Sequence, residues 1–303
     1  MKKTFYSNGK LLLTGEYLVL DGAKALALPT KFGQNLIIED FENLEIKWSS
    51  YDYDGSMWFQ ETLSFDSILN FKKTALPSIK NTLLEILHEA FLLFPDFITH
   101  SQGYTISTQL TFPRYWGLGT SSTLINNIAQ WLEIDAFELL KNSFGGSGYD
   151  IACAQNKSPI LYHLENGKPI IEPITFDPDF SENLYFVYLN QKQNSKNAIA
   201  SYNKLHKNLV KTIPQINYIT HSILNTTSIN AFAYQIEKHE AVMSTILEMQ
   251  TIKEALFPEF NGVIKSLGAW GGDFALIISL ENPIPYFKQK GFDTVLPYKD
   301  MIL

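Results

Sequence analysis

The segment PRYWGLGTSS at residues 113–122, the first glycine loop, constrains the fold most strongly, because it separates two clear patterns. Residues 104–110 alternate between apolar and polar, which predicts a strand, and residues 123–132 have helical periodicity. Glycines let a backbone approach phosphates, helix N-terminal amides donate hydrogen bonds and hydroxyls can bind magnesium. A turn followed by a serine- or threonine-capped helix explains this segment equally well when it is taken alone.

Two further glycine loops follow. The second, GGSGYD at residues 145–150, precedes a helix start, and the third, GAWGGD at residues 268–273, precedes an apolar strand at 274–279. Asp150 is also ordinary in a first helical turn, and Lys10 beside a strand is usually a solvated residue. Together these features indicate phosphoryl transfer, which needs phosphate donors, a metal ion, a cation and a carboxylate.

The remaining patterns predict an α+β protein with two domains, residues 1–160 and residues 161–303. Short strands are predicted early in the chain, and a helix closed by Pro95 comes next. Strands and long helices follow in the second half. The predicted strands cover 11–13, 17–20, 25–28, 35–38, 160–163 and 184–189, and the predicted helices cover 76–94, 137–141, 149–155 and parts of 194–256.

Composition excludes several classes of protein. The chain has 303 residues, 45% of them hydrophobic, which is enough for a sizeable core. A net charge of -7 without a dense basic run argues against nucleic acid as a partner. Cys153 is the only cysteine, so no internal disulfide can form and a cytoplasmic location is expected. The sequence shows no signal peptide and no run of 18 apolar residues, so we expect no membrane association.

Four segments, in their order and spacing, resemble the GHMP kinases, a superfamily that includes galacto-, homoserine, mevalonate and phosphomevalonate kinases. Residues 9–28 resemble the first motif of that superfamily, and residues 113–124 resemble its phosphate loop. Residues 146–150 and 268–273 resemble its two later glycine motifs. The resemblance implies the GHMP kinase fold, with an N-terminal domain like ribosomal protein S5 and a C-terminal ferredoxin-like domain.

The resemblance also implies roles in ATP and magnesium binding and in catalysis. Ser121 would bind Mg²⁺, with Glu138 as a weaker candidate for a second metal ligand. Asp150 would accept or orient the proton of the acceptor, and Lys10 would stabilise charge. ATP would lie over the first glycine loop, at Gly117, Leu118, Gly119, Thr120, Ser121 and Ser122.

The same resemblance implies an acceptor site built from several motifs. Tyr17, Tyr149 and Asp273 favour phosphomevalonate kinases within the superfamily, and Lys265 fits the same pattern. The predicted acceptor-binding residues are Glu16, Tyr17, Ser147, Gly148, Tyr149, Lys265, Gly268, Ala269, Gly271, Gly272 and Asp273.

Four residues depart from the superfamily pattern. Tyr115 and Trp116 replace small residues before Gly117, Ser122 replaces alanine, and Trp270 interrupts a glycine run. The bulky aromatic side chains could narrow a pocket, stack on adenine or pack between loops.

The sequence therefore predicts a kinase for a small metabolite, acting as a monomer or homodimer, with phosphomevalonate or mevalonate as first candidates for the acceptor. A sugar or another small acid is an alternative acceptor. A catalytically silent relative that binds a nucleotide or metabolite is the alternative from a different class, and an ATP-dependent decarboxylase of the superfamily is a third possibility.

Overall fold

A computed structural model describes residues 2–73, 78–192, 195–205, 209–270 and 272–303. These residues form two compact units, and each unit draws on separate stretches of the chain. The first unit contains residues 2–9, 32–114 and 118–155, and the second contains the described residues of 10–31, 115–117 and 156–303. The domain boundary at residue 160 stays a prediction.

The first unit combines a mixed sheet with helices. Residues Gln34–Asp40 of the long strand β2 pair antiparallel with β5, β5 pairs parallel with β3, and β3 pairs antiparallel with β4. The elements that contribute to this unit are β1 (Lys3–Leu12), β2 (Ala25–Asp40), β3 (Glu45–Tyr51), β4 (Met57–Ser64), α1 (Phe65–Leu69), α2 (Ile79–Leu93), α3 (Asp96–Thr99), β5 (Tyr104–Leu110), α4 (Thr120–Leu132), α5 (Ala136–Ser143) and α6 (Tyr149–Gln155).

The core of the first unit lies between its sheet and its helices. Alternate residues of the strands, such as Leu36 and Ile106, are buried against apolar side chains of the helices, such as Leu87 and Ile128. Alternation on strands and a 3.6-residue period on helices place these apolar side chains on one face of each element. α4, which follows the first glycine loop, is thereby anchored along its length.

The second unit contains a four-stranded antiparallel sheet in the order β11-β8-β10-β9. Residues Ala25–Ala27 of β2 also belong to this unit, where they pair with β6. Its further elements are β6 (Ile160–Glu165), β7 (Lys168–Pro173), β8 (Leu184–Tyr188), α7 (Ser195–Tyr202), α8 (Leu209–Leu224), α9 (Ile229–Leu247), α10 (Ile252–Leu256), β9 (Val263–Ser266), β10 (Phe274–Ile278), α11 (Ile284–Gln289), β11 (Val295–Pro297) and α12 (Tyr298–Met301).

Helix α9 packs against the short strand β9. Every residue of β9 is buried, including Lys265 and Ser266. Phe232, Ile236 and Met243 give α9 an apolar stripe at helical spacing, and His239 and Glu240 are buried on that same face. The fold of the second unit therefore brings three charged or titratable side chains into a core.

The α+β class is confirmed, but one predicted strand is wrong. Residues 17–20 form no strand, because a 3₁₀ turn at Leu18–Asp21 occupies that position. Gly15 has φ 82° and Gly22 has φ 90°, left-handed conformations that break an extended chain on both sides of this apolar run. The predicted strands at 25–28 and 35–38 are both parts of β2. Within the described ranges, no helix is long and apolar enough to span a membrane.

Candidate functional site

Helix α4 begins within the first glycine loop, at Thr120, which is three residues before the predicted start of the helix. Gly119 is the N-cap residue, with the left-handed φ of 98°. Its carbonyl oxygen accepts hydrogen bonds from the Ser122 hydroxyl at 2.9 Å and the Thr123 amide at 2.9 Å. Leu118 is buried and anchors the loop next to this turn. The amides of the first helical turn are thus available to an anion, as in known phosphate sites.

Three consecutive hydroxyls at the start of α4 have different surroundings. The Thr120 hydroxyl is buried and makes no hydrogen bond to any described residue. Ser121 is exposed, whereas Ser122 is buried and its hydroxyl is bonded to Gly119. A buried hydroxyl without a partner is costly, and a phosphate oxygen would satisfy it. The Thr120 hydroxyl and the helix amides therefore fit a phosphate group, and the role of Ser121 as a ligand of Mg²⁺ stays a prediction.

Asp150 lies in the first turn of α6, as the sequence predicts. Gly148 has φ 88°, and its carbonyl oxygen accepts the amides of Ile151 and Ala152 at 3.0 and 3.1 Å. Helix α6 packs against α4, and Gln155 Nε2 donates to Asn126 Oδ1 at 3.1 Å between them. The helix that follows the second glycine loop therefore packs against the helix that follows the first glycine loop, within one unit. The roles of Asp150, Ser147, Gly148 and Tyr149 stay predictions.

Glu138 and Lys10 also stay predictions. Glu138 is exposed in the first turn of α5, and no group of three or more His, Cys, Asp or Glu side chains in the described part of the chain is arranged to hold a metal ion. Lys10 is half-buried in β1, at the start of the second unit.

In the second unit, Glu16 lies in a buried charge cluster, defined here as Glu16, His239, Glu240 and Lys265, with no residue more than 3% exposed. Lys265 Nζ donates to Glu16 Oε1 and lies 3.8 Å from Glu240 Oε2. His239 Nε2 accepts the Gly15 amide at 3.0 Å and lies 3.4 Å from Glu16 Oε2. An acceptor that contacted Glu16 or Lys265 would have to displace this ion pair.

Burial determines the protonation of this cluster. Burial raises the pKa of Glu16 to about 7, even though Lys265 acts to lower it. Burial also raises the pKa of Glu240, and burial with the nearby charge of Lys265 holds the pKa of His239 well below its usual value. Glu240 Oε1 additionally accepts the Ser266 amide at 3.0 Å and its hydroxyl at 2.8 Å.

Tyr17 connects this region to the third glycine loop. Its hydroxyl oxygen accepts the Trp270 amide at 3.2 Å, and its ring stacks on Tyr202 with centroids 5.3 Å apart. Burial is the main cause that raises the pKa of Tyr17 to about 12, so the phenol stays protonated. Trp270 itself is buried, which favours packing between loops over stacking on adenine.

The third glycine loop also contacts Gly117 within the second unit. A Cβ atom at Gly117, which has φ 69°, would lie 2.3 Å from Asp273 Cγ. Gly268 has φ 70° and Asp273 has φ 54°. Ala269 and Gly272 are buried, and Gly271 lies outside the described residues. Only glycine therefore fits at position 117, beside the Asp273 carboxylate.

The remaining unusual aromatics pack inside the second unit as well. The Trp116 ring meets Phe274 edge-on with centroids 5.4 Å apart, and it lies 6.4 Å from the ring of Tyr188. The Tyr188 hydroxyl donates to the Tyr115 carbonyl oxygen at 3.1 Å. These contacts attach residues 115–117 to β8 and β10.

Sequence reasoning missed the roles of His239, Glu240 and Tyr202. The one available signal was that His239 and Glu240 interrupt the apolar stripe of α9. Helical spacing from Ile236 and Met243 places His239 on the buried face of that helix.

Glu16 should make stability depend on pH. Since its folded pKa of about 7 exceeds the unfolded value near 4.5, folded Glu16 keeps a proton that the unfolded chain releases. Its contribution is therefore complete below pH 4.5 and is lost as pH rises to 7, by about 3 kcal/mol. Urea unfolding at pH 5, 6, 7 and 8 should show wild type losing stability relative to Glu16→Gln across this range.

The control for this measurement is Glu254→Gln. Hydrogen bonds from Thr251 lower the pKa of the exposed Glu254, so its effect lies below pH 4.5 and should not alter the profile between pH 5 and 8. A constant difference between wild type and Glu16→Gln over that range would show that Glu16 does not hold a proton.

Comparisons with known proteins show the fold. No family model and no curated protein matches the sequence. Mevalonate kinase from Methanococcus jannaschii matches in structure with a TM-score of 0.68 and 16% identity, over 97% of this chain and 96% of that chain. Phosphomevalonate kinase from Streptococcus pneumoniae, in complex with phosphomevalonate and AMPPNP, has a TM-score of 0.66 and 17% identity over 95% of both chains.

Galactokinase from Lactococcus lactis, in complex with galactose, matches with a TM-score of 0.64 and 13% identity, over 95% of this chain and 88% of that chain. Three enzymes with different acceptors thus share nearly the whole architecture of this chain. The protein therefore has the fold of the GHMP kinases.

Proposed function

We propose that the protein is an ATP- and Mg²⁺-dependent kinase that phosphorylates a small metabolite, with phosphomevalonate and mevalonate as the first candidates. The observation that carries this proposal is the start of α4, where a buried Thr120 hydroxyl without a partner among the described residues and an exposed Ser121 follow Gly119. Gly119 has no side chain that could cap the helix, so the amides of the first turn of α4 keep their capacity to donate hydrogen bonds to a ligand.

The fold supports the kinase class, and the bound ligands of two neighbours support a small acceptor. The Streptococcus pneumoniae enzyme was solved with phosphomevalonate and AMPPNP, and the Lactococcus lactis enzyme with galactose. A sugar or another small acid therefore remains the alternative acceptor for this chain. The prediction of a cytoplasmic monomer or homodimer that binds neither nucleic acid nor membrane goes with this proposal.

ATP would bind through Gly117 to Ser122. The α4 amides and the Thr120 hydroxyl would donate hydrogen bonds to phosphate oxygens, and Ser121 would bind Mg²⁺, with Glu138 as a candidate second ligand. The metal ion would neutralise charge on the phosphates. These residues would position the phosphates and donate hydrogen bonds to them. Positioning and charge stabilisation are most of what an enzyme contributes to phosphoryl transfer.

Asp150 and Lys10 would carry the transfer itself. The acceptor oxygen forms a bond to the terminal phosphorus of ATP, the bond from that phosphorus to the bridging oxygen breaks, and ADP leaves. Asp150 takes the proton of the acceptor hydroxyl, and the Lys10 ammonium stabilises the developing negative charge. Tyr17 and the third glycine loop stay the predicted acceptor-binding residues of the second unit, and Ser147 to Tyr149 stay those of the first unit.

The test is ATP consumption with magnesium against mevalonate, phosphomevalonate, diphosphomevalonate, galactose and homoserine, with the products identified by mass. Phosphorylation of one compound would establish the kinase and its acceptor. Release of carbon dioxide would indicate a decarboxylase instead. A protein that binds ATP but phosphorylates no compound of the panel, nor any of a wider set of hydroxy acids and sugars, would support the catalytically silent alternative.

Ser121→Ala should weaken Mg²⁺-dependent nucleotide binding by about tenfold, because a ligand of the metal is lost. Titration of AMPPNP with and without Mg²⁺ measures this effect. Ser222→Ala is the control, because the Ser222 hydroxyl donates to the Tyr218 carbonyl oxygen within α8 at 2.8 Å and lies outside the predicted nucleotide-binding residues. An unchanged magnesium dependence in Ser121→Ala would place the metal ion elsewhere.

A further inference from the structure

The turn at residues 14–17 has backbone conformations that need support from surrounding contacts. Gly15 has φ 82°, and a Cβ atom there would lie 2.9 Å from both the Lys24 carbonyl oxygen and the Ala25 Cβ. Tyr17 has φ 59°, a conformation rare for a bulky residue. Such a conformation persists only where surrounding contacts hold it in place.

The contacts that hold this turn come from four elements, α8, α9, β2 and β9. The Gly15 amide donates to His239 Nε2 of α9 at 3.0 Å, and Lys265 of β9 donates to the Glu16 carboxylate. Thr14 Oγ1 accepts the Leu26 amide at 3.0 Å and the hydroxyl of Thr220, from α8, at 2.8 Å. Each residue from 14 to 16 is therefore bound by a side chain or strand of the second unit.

His239 must act here as a neutral acceptor. Because the Gly15 amide points at Nε2, that nitrogen carries no proton, and the same nitrogen lies 3.4 Å from Glu16 Oε2. Two acceptors at this distance repel when Glu16 is ionised. A proton on Glu16 removes the repulsion and leaves Lys265 and Glu240 as one buried pair of opposite charges.

Tyr17, at the end of the turn, contacts the third glycine loop. Tyr17 accepts the Trp270 amide and stacks on Tyr202, whose hydroxyl donates to Asp21. A shift of Gly15 or Glu16 would therefore move the tyrosine that supports Trp270. Neither His239 nor Lys265 needs to touch a substrate to affect this loop.

We propose that His239 and Lys265 are positioning residues, which act through Gly15 and Glu16 to hold Tyr17 against the third glycine loop and so shape the acceptor side of the site. This proposal rests on the proposed kinase function for its effect on the acceptor. The effect on the turn itself is independent of that function.

Hydrogen exchange tests the effect on the turn without any assay of activity. His239→Leu removes the acceptor of the Gly15 amide and should lower the protection of the Gly15 and Trp270 amides at least about tenfold, the loss that follows when a local hydrogen bond no longer resists opening. His239→Gln, whose side-chain oxygen can accept the same amide, should restore most of the protection. If His239→Leu does not fold, His239→Asn, which lacks the reach of Nε2, is expected to show the same loss.

Met243→Ala is the matched control, because Met243 is buried one turn further along the same face of α9 and its apolar side chain offers the Gly15 amide no acceptor. It should lower stability overall without a selective loss at Gly15 and Trp270. Equal protection of these two amides in His239→Leu and wild type would overturn the proposal, and so would a loss in Met243→Ala as selective as that in His239→Leu.

Steady-state kinetics then test the effect on the acceptor. His239→Leu should raise KM for the acceptor found in the panel about tenfold and leave KM for ATP unchanged, with rescue by His239→Gln. Altered exchange with unchanged KM for the acceptor would overturn the link to the acceptor. Altered exchange in a protein that phosphorylates nothing would refute the kinase and leave the role of His239 in the turn intact.

Discussion

Asp150→Asn is expected to bind ATP as wild type does and to turn over its acceptor at least about 10²-fold more slowly. The amide has nearly the same shape as the carboxylate, but it cannot take up the proton of the acceptor hydroxyl, and loss of a general base commonly has an effect of this size. Asparagine is tolerated in the first turn of α6, and the lost charge at a helix N-terminus costs only about 0.3–1 kcal/mol. The fold should therefore survive the change.

Single-turnover and steady-state rates with the acceptor from the panel measure this effect, together with AMPPNP affinity and thermal unfolding. Asp135→Asn is the matched control, because Asp135 is the N-cap of α5 and accepts the amides of Phe137 and Glu138. Asparagine caps a helix equally well, so this variant should keep its turnover rate. Near-normal turnover in Asp150→Asn would remove Asp150 from the mechanism.

The elements around the glycine loops were predictable because local chemistry determines them. Alternation alone predicts β5 with the bounds that the structure has, and the helical period predicts α4. Gly119 and Gly148 begin helices because each takes a positive φ that most residues avoid. A reader of the sequence can therefore place a helix after the first glycine loop and Asp150 in the first turn of another helix.

The buried charge cluster could not be predicted, because its members are distant in the chain. Gly15 and His239 are 224 residues apart, and Lys265 and Glu16 are 249 residues apart. No local pattern in one sequence reports a pairing over such distances, and Glu16 and Lys265 both look like surface residues by type. Their burial follows from tertiary packing of α9 against β9.

The strand predicted at residues 17–20 was wrong for a different reason. Residues 17–20 are mostly apolar, which a strand or a buried turn can satisfy equally. The decision depends on the left-handed conformations of Gly15 and Tyr17, which in turn depend on contacts from α9. Local propensity thus gives way to tertiary contacts at this turn.

Lys265→Met is expected to have the largest effect on stability. Methionine fills a similar volume, but it leaves Glu16 and Glu240 buried without their shared cation. Breaking a buried ion pair by removal of one partner typically costs about 3–5 kcal/mol. The loss should be greater at pH 8 than at pH 5, because the raised pKa values of Glu16 and Glu240 mean that protonation at lower pH relieves the unpaired charge.

Urea unfolding of wild type, Lys265→Met and the double variant Glu16→Gln/Lys265→Met at both pH values measures this loss. The double variant should recover part of the stability at pH 8, because one of the two unpaired charges is gone. Lys299→Met is the control, since Lys299 pairs with Glu182 on the exposed surface and its loss should matter little. If Lys265→Met were equally stable at pH 5 and 8, the carboxylates would not titrate in the folded protein, and the argument that Glu16 holds a proton in the turn would have to be given up.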